Sequence, residues 1–143
     1  MKVVIDLKKS FEYILTTAFS IAMIWACNWG ANFFRLPKIR NKGAAFNLFY
    51  NNPELIIVFS FLALVAIIFY ALFRSNKLNK LNTNALSSLT AGIGMNFFER
   101  VTKGYVTDYI DLSFIPNMPV FNVADIFIVI GTLLLISSLF LKK

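Results

Sequence analysis

The sequence predicts an all-α membrane protein built from four transmembrane helices, in one domain spanning residues 1–143. Three observations predict it. The chain is 58% hydrophobic and only 15% charged. Its mean hydropathy is +0.69, with 16 Phe among 143 residues. Its basic residues also fall between the apolar stretches rather than along them. A soluble domain of this size cannot hide so much apolar surface in one core, so much of it must face lipid.

Each span has its own justification. The first covers about residues 11–28, with Glu12 near enough to its start to reach the interface. Lys8 and Lys9 before an apolar run ending in Ile24-Trp25-Ala26-Cys27 mimic a cleavable secretory leader. Trp25 fits the small-residue cleavage pattern badly and three further spans follow, so this segment is read as an uncleaved helix. The second span, residues 55–73, has only Ser60 breaking an aliphatic run and is long enough for about 30 Å of hydrocarbon. The third, residues 81–98, carries Asn82, Asn84, Ser87, Ser88 and Asn96 but no charge. Its small residues recur at four-residue spacing (Ser87/Ala91, Ser88/Gly92), which suits packing inside a bundle better than lipid contact. The fourth, residues 123–141, is charge-free after Asp125.

An even number of spans puts both termini on one side. If that side is the cytoplasm, it holds Lys2, Lys8, Lys9, Arg74, Lys77, Lys80, Lys142 and Lys143. The other side holds Arg35, Lys38, Arg40, Lys42, Arg100 and Lys103, together with the acids Glu54, Glu99, Asp108 and Asp111. The purely basic gap at 74–80 favours this orientation under the positive-inside rule. The net charge of +7 is therefore a topological signal; no continuous basic face exists for nucleic acid. There is no His, so imidazole chemistry is excluded, and the single Cys27 forms neither an intrachain disulfide nor a thiolate cage.

Asp125 is the anomaly, a carboxylate opening a strongly apolar helix. Near the membrane centre such a group costs on the order of 3 kcal/mol, and less toward the interface. The bland explanation is helix capping, since acids at an N-terminus are favoured by the dipole and the free N–H groups. Asp108 offers another. The third and fourth spans run antiparallel, so the end of one and the start of the other share a membrane face. Two aspartates there can approach, and close carboxylates do not both ionise easily. One then keeps a proton while the other serves as a base, which suits activation of water for hydrolysis. Asp108 as a solvated loop acid and Asp111 as the second acid are the alternatives. Asn96 and Arg100 are four apart and Asn122 and Asp125 three apart, each pair on one helical face. Asn41 and Gly43 lie in a small-residue segment that permits close backbone approach. Acids deep within the spans, as proton-coupled transport would require, are absent.

Four blocks of sequence carry a resemblance. Asn41-Lys42-Gly43-Ala44-Ala45-Phe46, Gly94-Met95-Asn96-Phe97-Phe98-Glu99-Arg100, Gly104-Tyr105-Val106-Thr107-Asp108-Tyr109-Ile110-Asp111 and Pro119-Val120-Phe121-Asn122-Val123-Ala124-Asp125 occur in the order found in lipoprotein signal peptidase, or signal peptidase II. The chain resembles this bacterial family of intramembrane aspartyl proteases over about residues 39–135. The resemblance implies removal of signal peptides from prolipoproteins, with cleavage before a Cys that carries diacylglycerol. It implies Asp108 and Asp125 as the catalytic dyad, preferring Asp108 over Asp111. Asn41, Gly43, Asn96, Arg100 and Asn122 would shape the site and hold substrate, with no metal and no organic cofactor. It further implies a multi-pass protein of the bacterial inner membrane with its site at the extracytoplasmic face. It implies a small β-cradle and a short surface helix over the site, to which residues 29–53 would contribute. The expected partners are the diacylglyceryl-modified precursor and membrane lipid, with a monomer as the expected state. Three departures stand out. Cys27-Asn28-Trp29-Gly30-Ala31 lacks the Asp and Lys usual late in the first span, the link onward to Asn41 is short, and Glu99 replaces Asp before Arg100. A degenerate member that binds lipidated peptides without turnover is the rival reading.

Overall fold

The computed structural model describes residues 5–44, 49 and 51–141. The expected basic flanks at Lys2, Lys142 and Lys143, and Ala45 and Phe46 of the first block, lie outside the described residues. Four long helices dominate: α1 (Leu7–Phe33), α2 (Pro53–Phe73), α3 (Lys80–Lys103) and α4 (Val123–Phe140). A 3-10 turn at Ser75–Lys77 joins α2 to α3. Two short strands, β1 (Ile39–Asn41) and β2 (Val106–Asp108), pair antiparallel, with Ile39 opposite Asp108 and Asn41 opposite Val106. Of this sheet, β1 comes from residues 29–53, and β2 follows α3. The expected surface helix has no counterpart among the described residues between α1 and α2, where residues 45–48 and 50 are not described.

Helix ends follow local chemistry. Asp6 caps α1 by accepting from Lys9 N, and Asn79 caps α3 by accepting from Asn82 N. Pro53 opens α2 at a position where its missing N–H costs nothing. Gly104 closes α3 at φ 78°, a left-handed conformation glycine adopts without strain. Helix α1 extends beyond the predicted 11–28 at both ends and α3 runs on past the predicted end at 98 to Lys103, whereas the bounds of α2 and α4 lie close to those expected.

Three of these helices, α1, α2 and α4, are long and apolar enough to cross a membrane, and their outward faces are largely exposed side chains. Helix α3 is different, being polar in composition yet the most buried of the four. The other three pack on it, α4 most extensively, whereas α2 and α4 do not pack on each other. The central position explains the composition, because α3 finds partners for its hydroxyls. Tyr13 and Thr90 hydroxyls lie 2.7 Å apart, and those of Thr16 and Ser87 2.8 Å apart, tying α1 to α3. At the end away from the sheet, Asp6 N donates to Ser75 Oγ (2.9 Å) and Lys9 Nζ donates to the Leu78 carbonyl (2.7 Å).

The α3–α4 contact depends on two glycines. A Cβ at Gly92 would meet the Ala124 carbonyl at 2.5 Å, and one at Gly131 would meet the Ala85 carbonyl at 2.8 Å. Small residues let the backbones approach this closely. The spacing noticed in the sequence is thus realised, with Ser87, Ala91 and Gly92 buried and Ser88 half-buried. Replacing Gly92 with Ala should force α3 from the start of α4 and destabilise the protein by about 1–3 kcal/mol. A lowered melting temperature in detergent micelles checks this, with Gly94→Ala as the benign control, since Gly94 has room for a Cβ.

Candidate active site

The site assembles where α3 ends, α4 begins and the small sheet crosses between them. Asn122 is the N-cap of α4: its Oδ1 accepts from Asp125 N at 3.1 Å, and its own N–H donates to Asp125 Oδ2 at 3.1 Å. This reciprocal capping box satisfies backbone donors that the helix itself leaves free. The bland explanation of Asp125 therefore holds, and it does not exclude the other. The second oxygen, Oδ1, is turned to Asn96 Nδ2 of α3 at 2.7 Å.

Asp108 ends β2 and is 2% exposed. Its Oδ2 accepts from Asn41 Nδ2 (2.9 Å) and its Oδ1 from Asn122 Nδ2 (2.8 Å). The same Asn122 amide also donates to Asn96 Oδ1 at 3.2 Å. A continuous hydrogen-bonded path thus runs from Asp108 through Asn122 and Asn96 to Asp125. Arg100 extends it, with Nη2 donating to the Gly43 carbonyl at 2.9 Å and Nη1 to the Asn96 carbonyl at 3.5 Å. Gly43 N in turn donates to Asn41 Oδ1 at 3.0 Å. All seven residues singled out in the sequence belong to this one network.

Their placements differ. Asn41, Asn96, Arg100, Asp108 and Asp125 line a cavity of about 800 Å³, whereas Asn122 is not on its wall. Asn122, expected to shape the site and hold substrate, is buried and bonds to Asp108 and Asn96. Asp111 is exposed, accepts from Ser113 N at 2.8 Å, and does not line the cavity. Most of the wall is apolar. Ile56 and Ser60 of α2 face Ile126 and Val129 of α4 across the gap that these helices leave.

Two supports were not read from the sequence. Glu99 Oε2 accepts from Thr107 N at 2.7 Å, while its Oε1 pairs with Lys103 Nζ at 2.8 Å. Thr107 precedes Asp108, so Glu99 anchors the strand that carries the buried acid. Tyr109, on the other side of Asp108, donates its hydroxyl to Asn28 Oδ1 of α1 at 2.6 Å. Tyr109 N and Ile110 N both donate to the Phe121 carbonyl, at 3.0 and 2.8 Å, fixing the strand beside Asn122. In the sequence, Glu99 stands out as a longer acid before Arg100 and Asn28 as part of an altered motif, and neither signal names a contact partner.

Electrostatics mark out the more deeply buried acid. Burial raises the Asp108 pKa above the usual carboxylate range; hydrogen bonds from Asn41 and Asn122 partly offset this, and nearby Asp125 adds to the rise. Burial likewise pushes the Tyr109 hydroxyl to about 12, so it stays a donor throughout the physiological range. Because the folded protein holds the Asp108 proton more tightly than the unfolded chain, stability should fall as pH climbs through the raised value. Asp108→Asn should flatten that slope, measured as melting temperature against pH. Infrared difference spectra should show a protonated carboxyl, absent in Asp108→Asn, surviving above the ordinary carboxylate range.

Comparison with known proteins gives this geometry a family. The model of the signal peptidase (SPase) II family matches residues 2–141. Lipoprotein signal peptidase of Streptococcus thermophilus is 36% identical over 110 residues, covering 77% of this chain and 71% of that one. The same enzyme from Caldanaerobacter subterraneus subsp. tengcongensis is 38% identical over 104 residues, covering 73% and 69%. A bacterial membrane enzyme solved by the in meso method at 2.3 Å superimposes with a TM-score of 0.76 over 98% of this chain and 92% of its own, at 24% identity. That likeness concerns the fold, and a second such structure at 1.9 Å gives 0.74. With nearly its whole length matched, this membrane protein belongs to the signal peptidase II family.

Proposed function

We propose that this chain is an intramembrane aspartic endopeptidase that removes signal peptides from diacylglyceryl-modified bacterial prolipoproteins, cutting before the lipidated Cys. The observation that carries the reading is the pair of aspartates on one cavity wall, joined through Asn122 and Asn96 and faced by apolar side chains. A cavity of this kind suits a lipidated, apolar segment, and the family's substrates supply one.

The division of labour follows from burial. Asp108, whose burial favours the neutral form, starts with the proton, and Asp125 takes the part of the base. A water between them gives a proton to Asp125 while its oxygen adds to the scissile carbonyl carbon, and Asp108 protonates the carbonyl oxygen. The resulting diol then collapses. Asp125 passes its proton to the amide nitrogen, the carbon–nitrogen bond breaks, and a diol hydroxyl returns a proton to Asp108. Charge develops in a low-dielectric cavity, where fixed amide and guanidinium groups act more strongly than in water. Asn41 and Asn96 hold the acids, Arg100 holds the Asn96 and Gly43 carbonyls beside them, and all three meet the substrate backbone. The cycle balances without a metal or an organic cofactor.

The topology proposed with it counts α3 as the fourth span of a single peptidase domain. Its 24 residues extend about 36 Å, and three lipid-facing helices shield its polar side chains. Both termini are assigned to the cytoplasm and the cavity mouth to the opposite face of the inner membrane. The basic 74–80 turn supports that orientation.

Asp108→Asn and Asp125→Asn should each abolish processing of a diacylglyceryl-modified precursor in a gel-shift assay while the protein stays inserted. Full activity in either variant sinks the mechanism; wild-type binding without turnover would favour the degenerate-member reading. Glu99 should act by positioning. Glu99→Ala should lower kcat about tenfold with KM little changed, since a small displacement of a reacting group is costly. Glu99→Gln, which keeps an acceptor for Thr107 N, should recover most of that loss. Equal kcat in the wild type and Glu99→Ala would show that the anchor is dispensable.

A further inference from the structure

Helix α1 is longer than a bilayer core requires. Its 27 residues extend about 40 Å against roughly 30 Å of hydrocarbon. The contact between Asn28 and Tyr109 puts the last turns of α1 at the cavity end of the molecule. Those turns present an exposed aromatic cluster: Trp29 stacks on Phe33 at 5.4 Å, and Phe33 meets Phe34 edge-on at 5.2 Å. Aromatic residues of this kind, Trp above all, concentrate at headgroup depth.

Four cations follow at once, Arg35, Lys38, Arg40 and Lys42, all exposed. The segment from 35 to 42 contains no acid, and among the described residues none of the four forms an ion pair. Arg40 and Lys42 also line the cavity, so the cations run from the end of α1 to the cavity wall. The Arg40 guanidinium lies 5.1 Å from the centre of the Tyr105 ring, a stacking contact that orders it without using its N–H donors.

Arg35 adds an independent observation. It takes φ 52° just past the end of α1, where Leu36 N closes the helix onto the Ala31 carbonyl at 3.0 Å. Glycine is the usual residue at this left-handed position, because a side chain there carries strain. A long cation kept where glycine would serve the backbone better points to a use for its charge.

We infer that residues 35–42 form a docking ledge for the phosphate headgroups of anionic phospholipids at the mouth of the cavity. Headgroup phosphate is the abundant anion at the depth set by Trp29 and its neighbours. Bidentate Arg and point-charge Lys are both suited to phosphate. Under the peptidase reading, the ledge would hold the cavity mouth against the lipid surface in which a diacylglyceryl substrate lies. The ledge itself does not depend on the chemistry.

The test uses the full chain in nanodiscs of phosphatidylcholine containing a phosphatidylglycerol with a photoreactive headgroup, with crosslinks mapped by mass spectrometry. Crosslinks should fall within residues 35–42 and be competed by unlabelled phosphatidylglycerol. Phosphatidylcholine, free inorganic phosphate and an acidic peptide should compete poorly. The double variant Arg35→Gly, Lys38→Gln should lose at least threefold of the crosslinking. Arg35→Gly alone should keep its melting temperature, because glycine is at ease at φ 52°. Crosslinking should persist in Asp125→Asn, which separates failure of the ledge from failure of the peptidase reading. Absence of crosslinks in 35–42, equal competition by phosphatidylcholine, preferential competition by the acidic peptide, or an unaffected double variant would each overturn the proposal.

Discussion

The structure depends on the side-chain amide of Asn122. It donates to Asp108 and to Asn96, while its oxygen caps the helix that carries Asp125. Two acids in an apolar cavity are unfavourable neighbours, and burial alone would scatter or neutralise them. Distributing fixed amide dipoles between them stabilises an arrangement that a carboxylate pair could not hold by itself. The rest of the fold makes this possible. Gly92 brings the α4 backbone close to α3 near Asp125, Gly104 turns the chain back toward the site, and the pairing of β1 with β2 presents Asn41 to Asp108.

The position of α3 shows how a membrane protein hosts polar chemistry. A helix with Asn, Ser and Thr along its length would be poorly suited to lipid on all sides. Surrounded by three apolar helices, it becomes a polar spine whose hydroxyls bond to α1 at one level and whose amides and guanidinium organise the site at another. Partition of roles between helices replaces the inside-outside partition of a soluble protein. Hydrophobic residues face out, and most of the polar side chains of α3 are turned inward against its neighbours.

Much of this was legible in the sequence, for identifiable reasons. The three apolar helices were readable because length and composition alone determine them. Helix α3 was readable through its small-residue spacing and lack of charge, even though its composition is polar. Asn96 with Arg100, and Asn122 with Asp125, were readable because helical periodicity places such pairs on one face. What periodicity does not encode is contact between distant segments. That Thr107 N meets Glu99, or Tyr109 meets Asn28, depends on how a short strand sits against two helices. Capping and site roles at Asp125 looked like alternatives because sequence assigns one role per residue, whereas a carboxylate has two oxygens. For Asn122 the sequence shows the helical face it shares with Asp125 but not its depth.

The gap between α2 and α4 carries a last consequence. Both helices lean on α3 without packing on each other, and apolar residues of both line the cavity between them. A ligand reaching the acids by that route never leaves the membrane, so its encounter rate is set by its density per unit area of lipid. Diluting the protein in buffer would not slow such a reaction, but diluting it in lipid would. The relevant concentration is two-dimensional.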